Sequence, residues 1–238
     1  MYSLYKEDFQ KFVDYNIKDV ELVDRLEEKM GLITLAMTMA YRGGVNYDAT
    51  FGTVQIWDSI IYRLLNKMNV AIPPRRKQHK VMFPGAYVKE PHVGMHDWVV
   101  SFDLNSLYPN LIVQYNMSIE TKLPGCIPGV NVESVLEGTN TPNHEDTTMS
   151  ATGIRFTKER QGIIPAIIKK YYDERRQIKN EMLKTQQVMQ KGSTKELEAK
   201  VNQLENQQMS IKILMNSLYG AQANAGIRYF DNVVAEDI

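Results

Sequence analysis

The stretch from Gly162 to Asn224 constrains the chain most. It reads as two long helices, Gly162–Gln190 and Ser193–Asn224, with Lys191-Gly192 as a turn between them. Ser193-Thr194-Lys195-Glu196 matches a capping box, in which a hydroxyl and a carboxylate three residues apart satisfy free backbone amides at a helix start. Two helices of this length joined by so short a turn fold back on each other as an antiparallel hairpin. In the second helix Val201, Leu204, Met209, Ile213 and Leu214 are spread along a sequence rich in Gln and Asn. That apolar stripe is thin, which predicts a hairpin projecting from the body of the protein.

The rest of the chain divides around it. From Tyr5 to Met30, Phe9, Phe12, Val13, Ile17, Val20, Val23 and Leu26 recur at three- and four-residue steps, the period of an amphipathic helix. A second apolar segment, Leu32–Ala40, ends at Gly43-Gly44, and a third helix is expected over Val54–Met68. Pro73-Pro74-Arg75-Arg76-Lys77 breaks the helical pattern and reads as a connector. Val81–Lys89 and Trp98–Phe102 alternate and are rich in β-branched residues, so both are expected to be strands. Ser106–Tyr115 is expected to be a short helix with Pro109 in its first turn, and Cys126–Gly153 to be mostly loop. The expected class is α+β: a helical N-terminal segment, a partial antiparallel sheet and a two-helix antiparallel hairpin.

Several function classes are excluded. The apolar runs are short, as in Gly162–Ile168, so no membrane-spanning helix is expected. Met1–Gln10 carries Lys6, Glu7 and Asp8 in place of the apolar core of a signal peptide. A lone cysteine, Cys126, leaves no disulfide framework or cysteine-rich zinc site, and fits a reducing compartment. His92 and His96 are four apart, but Pro91 and Gly94 argue against the helix that would bring them together on a zinc ion. Net charge is zero, yet charge is unevenly spread: Arg155–Lys212 holds 13 basic and 7 acidic residues, and Asn131–Ser150 holds 4 acidic and no Lys or Arg. A basic segment of this kind either binds phosphates or forms a solvated helical face.

Three constellations carry possible chemistry. Ser101-Phe102-Asp103-Leu104-Asn105-Ser106-Leu107-Tyr108-Pro109 places an acid at the end of an apolar segment, before a turn into a helix. Such a carboxylate can ligate a hard cation such as Mg²⁺, leaving positions for substrate phosphates, or it can simply cap the helix. In Lys212-Ile213-Leu214-Met215-Asn216-Ser217-Leu218-Tyr219-Gly220, residues Lys212, Asn216, Tyr219 and Gly220 share one helical face. A cation, an amide, an aromatic ring and bare backbone on one stripe suit phosphate, base and sugar; the plainer reading is a helix ending near a glycine. Arg175 and Lys179 lie one turn apart on the first hairpin helix. Counted from the turn at Gly192, Arg175 and Lys212 sit at about 26 and about 30 Å along their arms, given a rise of about 1.5 Å per residue. Converging there, the three cations would clamp a triphosphate. Alternatively Arg175 and Arg176 pair with Asp173, Glu174 or Glu181 on a solvated helix.

Asp103-x-x-Ser106-Leu107-Tyr108-Pro109, followed about a hundred residues later by Lys212-x-x-x-Asn216-Ser217-x-Tyr219-Gly220, resembles the family B, polymerase-alpha-like, DNA polymerases. Tyr15-x-x-x-Asp19 is similar to the third motif of that family's 3′–5′ exonuclease. Phe83-Pro84-Gly85-Ala86-Tyr87-Val88 resembles the Tyr-x-Gly-Gly element that links exonuclease to palm, with Phe83 and Ala86 substituted. Gly162-Ile163-Ile164-Pro165 resembles the start of the fingers, and the texture is most similar to the replicative polymerases of large tailed phages. Asn110 stands where the family often has Ser.

The resemblance implies domains at 1–72 (end of the exonuclease and connecting helices), 73–158 (linker and first part of the palm), 159–224 (fingers) and 225–238 (return to the palm). Asp103 lies on a palm strand in this reading and binds two catalytic Mg²⁺ ions together with a second aspartate, the Leu104 carbonyl being a further ligand. Ser106, Leu107 and Tyr108 border the nucleotide, with Tyr108 under the sugar, excluding a 2′-hydroxyl. Arg175, Lys179 and Lys212 hold the triphosphate, and Lys212 can protonate the leaving pyrophosphate. Asn216 and Tyr219 line the nascent base pair, with Gly220 allowing close approach, and Asp19 is an exonuclease metal ligand near Tyr15. Expected partners are primer-template DNA, dNTP and, for a complete enzyme, a sliding clamp, in the cytoplasm of a phage-infected host.

The Asp-Thr-Asp string that carries the family's second palm aspartate occurs nowhere in the chain; Glu145-Asp146-Thr147-Thr148 is the nearest string and precedes the fingers. The first two exonuclease motifs and the thumb are also absent. The resemblance is therefore to part of a polymerase, from a truncated or a split gene, inactive alone unless a second chain supplies the remaining palm and thumb. The competing expectation is a non-catalytic nucleic-acid-binding module built on the helical hairpin, using the basic segment and needing neither Asp103 nor Tyr108.

Overall fold

The computed structural model describes residues 2–75, 88–139 and 145–238. Residues 83–87 of the segment expected to link exonuclease to palm, most of the expected strand Val81–Lys89, and the basic residues Arg76, Lys77 and Lys80 lie outside these; Val88 and Lys89 form no strand. The fold is α+β and mostly helical. Helices α1 (Tyr2–Glu7), α2 (Phe9–Met30), α3 (Leu32–Gly43) and α4 (Thr53–Lys67) precede a long irregular stretch. After it come α5 (Leu107–Tyr115), β1 (Lys122–Cys126), α6 (Val132–Leu136), β2 (Thr147–Met149) and β3 (Ile154–Thr157). The hairpin helices α7 (Ile163–Met189) and α8 (Lys195–Gln222) and a short α9 (Asn232–Asp237) complete the chain.

The expected N-terminal helix breaks once, at Asp8, whose carboxylate accepts from Lys11 N and starts α2. No residue of α2 is buried: Phe9, Ile17, Val20, Val23 and Leu26 all face outward. The hairpin forms where the sequence places it, but Thr194, not Ser193, caps α8, its hydroxyl accepting from Leu197 N at 3.2 Å. Ser193 turns instead to Glu198. A one-residue slip of this kind arises because either hydroxyl can reach an amide three residues on.

Contrary to the expectation of a thinly packed projecting arm, the second half of α8 is the centre of the core. Ile211, Leu214, Met215, Leu218 and Ala221 pack with Ile56, Trp57, Ile60 and Ile61 of α4 and Ile164, Ile167, Ile168 and Tyr171 of α7. The sparse stripe holds only for the hairpin tip; α3 and α4 both pack on α8.

The sheet also differs from expectation. It is antiparallel, ordered β1-β3-β2, and built from 122–126, 147–149 and 154–157, partly inside the segment expected to be loop. Trp98–Phe102 is not a strand, and Asp103 therefore does not sit on one. A lone extended segment leaves its amides and carbonyls unpaired, and among the described residues no edge pairs with it.

The start of α7 is fixed from across the fold. Asn116, in the left-handed conformation that ends α5, donates through Nδ2 to the carbonyls of Thr157 and Arg160, both at 2.8 Å, and accepts from Gly162 N at 2.8 Å. The Glu120 carboxylate accepts from Ile163 N at 2.5 Å, placing an acid at the positive end of the helix. Gly162 is required here, since a Cβ would lie 2.7 Å from Ser118 Cβ.

Candidate functional site

The polar stripe of α8 is set by what its other face buries. With Ile211, Leu214, Met215 and Leu218 directed into the core, Lys212, Asn216 and Gly220 are exposed and Tyr219 is half-buried. Trp57, 0% exposed, donates from Nε1 to Ser217 Oγ at 3.1 Å, and that hydroxyl donates to Leu214 O at 2.8 Å. The middle of the motif is thus tied to α4, and the stripe cannot rotate without breaking the Trp57–Ser217 bond. A Cβ built on Gly220 meets nothing within 4 Å, so the surface beside it is open.

Helix α5 brings the first motif to this stripe. Tyr108 and Tyr219 stack with ring centroids 5.0 Å apart and planes 4° from parallel. Burial, then the charge Tyr108 would carry, pushes the Tyr219 phenol above its ordinary value, so the ring stays a neutral hydrogen-bond donor. The turn before α5 is braced: Ser106 adopts the left-handed region at φ 54°, and Asn110 Nδ2 donates to Asn105 O at 2.8 Å. Asn110 therefore has a structural task that its sequence position alone does not reveal. Leu107 is exposed and Ser106 half-exposed beside this turn.

Arg175 donates from Nε to Gln208 Oε1 at 3.2 Å. Gln208 is one helical turn, about 6 Å, from Lys212 along α8, so Arg175 faces the stripe at nearly the same depth. Lys179, exposed, stands one further turn toward the hairpin tip. Glu174 pairs with Arg42 and Glu181 with Lys200, so neither neutralises these cations. Among the described residues neither Arg175 nor Arg176 makes the ion pair that the alternative reading expected.

Asp103 and Leu104 are exposed and lie on irregular chain. Among the described residues no group of three or more His, Cys, Asp and Glu could hold a metal ion. A single exposed carboxylate suits one position in a Mg²⁺ shell but does not fit a two-metal site. Tyr15 and Asp19 lie a turn apart on the exposed α2. His96 bonds the His92 carbonyl at 2.9 Å, and the two are not on a helix.

Sequence reading overlooked a buried acid on α4. Asp58 accepts from Arg228 Nε at 2.8 Å and Nη2 at 3.0 Å, and from Arg75 Nη2 at 3.1 Å. Burial raises its carboxyl, but the bonds and charges of the two arginines outweigh this and hold it below the ordinary value. Burial and the same anion push Tyr229 up to about 12. The network ties the chain after α8 to α4, one residue on from Trp57; its only signal in the sequence is an acid on an apolar helix face.

The known proteins that this chain is similar to fall in one class, the DNA polymerases. The family model for DNA polymerase family B matches residues 52–236, and the chain belongs to that family. It is 29% identical to the DNA-directed DNA polymerase of Escherichia phage RB69 over 96% of the chain and 30% of that protein. It is 31% identical to that of Enterobacteria phage T4 over 93% of the chain and 29% of that protein. A DNA polymerase of Pyrococcus glycovorans is 33% identical over 66% of the chain and 17% of its own length. The family B DNA polymerase from the archaeon Pyrobaculum calidifontis shares the fold, with TM-score 0.71 and 23% identity over all of this chain and 29% of that one. The chain spans about 30% of the length of the phage relatives.

Proposed function

We propose that this chain forms the incoming-nucleotide surface of a DNA-directed DNA polymerase. The observation that carries the reading is the stack of Tyr108 on Tyr219, which joins two motifs about a hundred residues apart into one surface. In the reaction a primer 3′-hydroxyl attacks the α-phosphate of a dNTP paired with the template, and pyrophosphate leaves. Lys212, Arg175 and Lys179 would hold the triphosphate, a role supported by their making no ion pair among the described residues. Lys212 would also place a proton on the leaving pyrophosphate. Tyr108 would stand under the sugar and Asn216, Tyr219 and open Gly220 beside the base pair, with Ser106 and Leu107 completing the border.

Asp103 would supply one carboxylate of a Mg²⁺ site whose Leu104 carbonyl is a further donor. One carboxylate does not hold two metals, so this chain by itself is proposed to be inactive, with the remaining palm and thumb coming from further polypeptide. The assignment of 159–224 as fingers, 73–158 and 225–238 as palm, and 1–72 as the end of an exonuclease carrying Tyr15 and Asp19 belongs to the same proposal. So do primer-template DNA, a sliding clamp and the host cytoplasm as its setting. Among the described residues no helix is long and apolar enough to cross a membrane.

The test is primer extension by an active enzyme containing this segment. Asp103→Ala should abolish incorporation while DNA binding persists; unchanged incorporation overturns the reading. Tyr108→Ala should admit ribonucleotides if the ring stands under the sugar.

A further inference from the structure

We propose that the cleft between α4 and the first turns of α7 binds the phosphates of a single-stranded DNA. It encloses about 380 Å³ and is lined by Arg42, Arg63, Lys67 and Lys170 around Ile60, Leu64, Ala166, Ile167 and Tyr171. The apolar residues are buried or half-buried and form the floor; Arg63, Lys67 and Lys170 are exposed at the rim. No residue of the α8 stripe takes part.

Among the described residues three of the four cations have no carboxylate partner; the fourth, Arg42, pairs with Glu174. Among the described residues no carboxylate lines the cleft. Arg63, Lys67 and Lys170 make no ion pair among the described residues. Arg42 gives Nη1 to Glu174 at 2.7 Å, but its buried Nε has no hydrogen-bond partner among the described residues. Arg63 and Lys67 repeat one turn apart on α4, where like charges repel. Arg63 is also seated: it crosses Gly44, at which a Cβ would lie 1.9 Å from Arg63 Nη1. The Arg42 guanidinium stands 6.0 Å from the centre of the Tyr171 ring. Burial, helped by the Glu174 charge, pushes the Tyr171 hydroxyl up while Arg42 and Arg63 pull it back, which places two positive charges and one carboxylate near that end of the cleft.

Converging cations above an apolar floor favour an anion more strongly than the same charges spread over solvent. Arginine offers forked donors to phosphate oxygens and lysine a mobile point charge. Three unpaired cations drawn from α4 and α7, with the paired Arg42 of α3 beside them, exceed what one phosphate group requires and suit successive phosphates of a strand. The kind of strand, DNA, comes from the polymerase reading; the anion site does not depend on it.

The experiment is fluorescence anisotropy of a labelled oligothymidylate with the full chain, across a salt series. The Arg63→Gln, Lys67→Gln, Lys170→Gln triple variant should bind at least about tenfold more weakly, with a salt slope smaller by about 2, at about 0.7 per phosphate contact on a single strand. Lys170→Gln alone, with its melting curve matched to the parent, should show a smaller loss in the same direction and guards against a folding defect in the triple variant. Unchanged oligothymidylate binding in both variants overturns the proposal, as does a parent chain that does not bind it. Inorganic tripolyphosphate separates the sources: if the variants lose tripolyphosphate but keep the oligonucleotide, the anion is a free nucleotide and the strand assignment falls. Primer extension with Asp103→Ala reports on the polymerase reading separately, so either can fail alone.

Discussion

Residues 212–220 lie on a helix whose opposite face fills the core, whereas residues 98–106 run as exposed chain. Trp57, beneath the first segment, is 0% exposed; Trp98, in the second, is 98% exposed, and Phe102 is 91% exposed. Both segments carry motifs of the same family, and both are apolar enough to be buried. The difference is in where their hydrogen bonds close. A helix satisfies its backbone internally and needs only a face to bury, which α4 and α7 provide. A strand needs a neighbour for every second amide, and among the described residues 98–102 has none. Where the two segments meet, at the Tyr108–Tyr219 stack, the ordered one holds the end of the other.

Exchanging the two tryptophans' environments would break this contrast, so the largest effect is expected from truncating them. Trp57→Ala should destabilise the fold by about 3–5 kcal/mol, chiefly through the cavity and also through the lost bond to Ser217. Trp98→Ala should stay within about 0.5 kcal/mol. Denaturant melts of both variants check this; equal effects would mean that 98–106 is packed in solution.

Next comes the ion network that backs the ordered segment. Asp58→Asn leaves Arg228 and Arg75 facing a neutral amide and should cost about 3 kcal/mol, toward the low end for a broken buried pair because Arg75 can return to water. The sign with pH follows from the depressed carboxyl. Its stabilising contribution is full above the ordinary value, 3.8, and is lost as pH falls through the lower folded value. The parent should therefore lose stability in acid more steeply than the Asp58→Asn variant. Parallel acid limbs would remove Asp58 from the account.

The contrast also explains what the sequence made legible. The hairpin, its turn and the exposed stripe of Lys212, Asn216 and Gly220 all follow from a local period, and α8 obeys it. Other features depend on partners far away in the chain. Trp57 meets Ser217 across 160 residues and Asp58 meets Arg228 across 170. Asn116 and Glu120 cap a helix more than forty residues on. None of these pairs has a spacing to recognise. Trp98–Phe102 misled for the same reason in reverse: alternation shows that a segment can be a strand, and pairing decides whether it is one. The thin stripe of α8 misled because Ile211, Met215 and Leu218 complete its apolar face only at the base.

The junction itself should give a smaller effect. A double-mutant cycle between Tyr108→Ala and Tyr219→Ala is expected to yield a coupling of about 0.5–1.5 kcal/mol, the range for a stacked aromatic pair. Tyr108→Ala alone should also lower the Tyr219 pKa, since it removes both cover and a neighbouring phenol. Additive single mutants would mean that the two motifs meet without supporting one another.

The smallest effect is expected at Asp237, and it has the opposite sign to Asp58. Burial, opposed by hydrogen bonds from Thr152 and Ser150, raises its carboxyl to about 6. An acid raised on folding binds its proton more tightly in the native state, so stability falls as pH rises from the ordinary 3.8 toward about 6. Asp237→Asn should therefore gain on the parent through that window and keep the gain at neutral pH, while the two converge in acid. The gain is held down by position. Asp237 ends the short α9, and such an end can fray and return the carboxylate to water. α9 is moored at its start, where Asp231 accepts from Val233 N and Val234 N and pairs with Lys122. If the variant and the parent show the same pH profile, the carboxylate already reaches solvent and the end of α9 behaves like the exposed segment at 98–106 and unlike the base of α8.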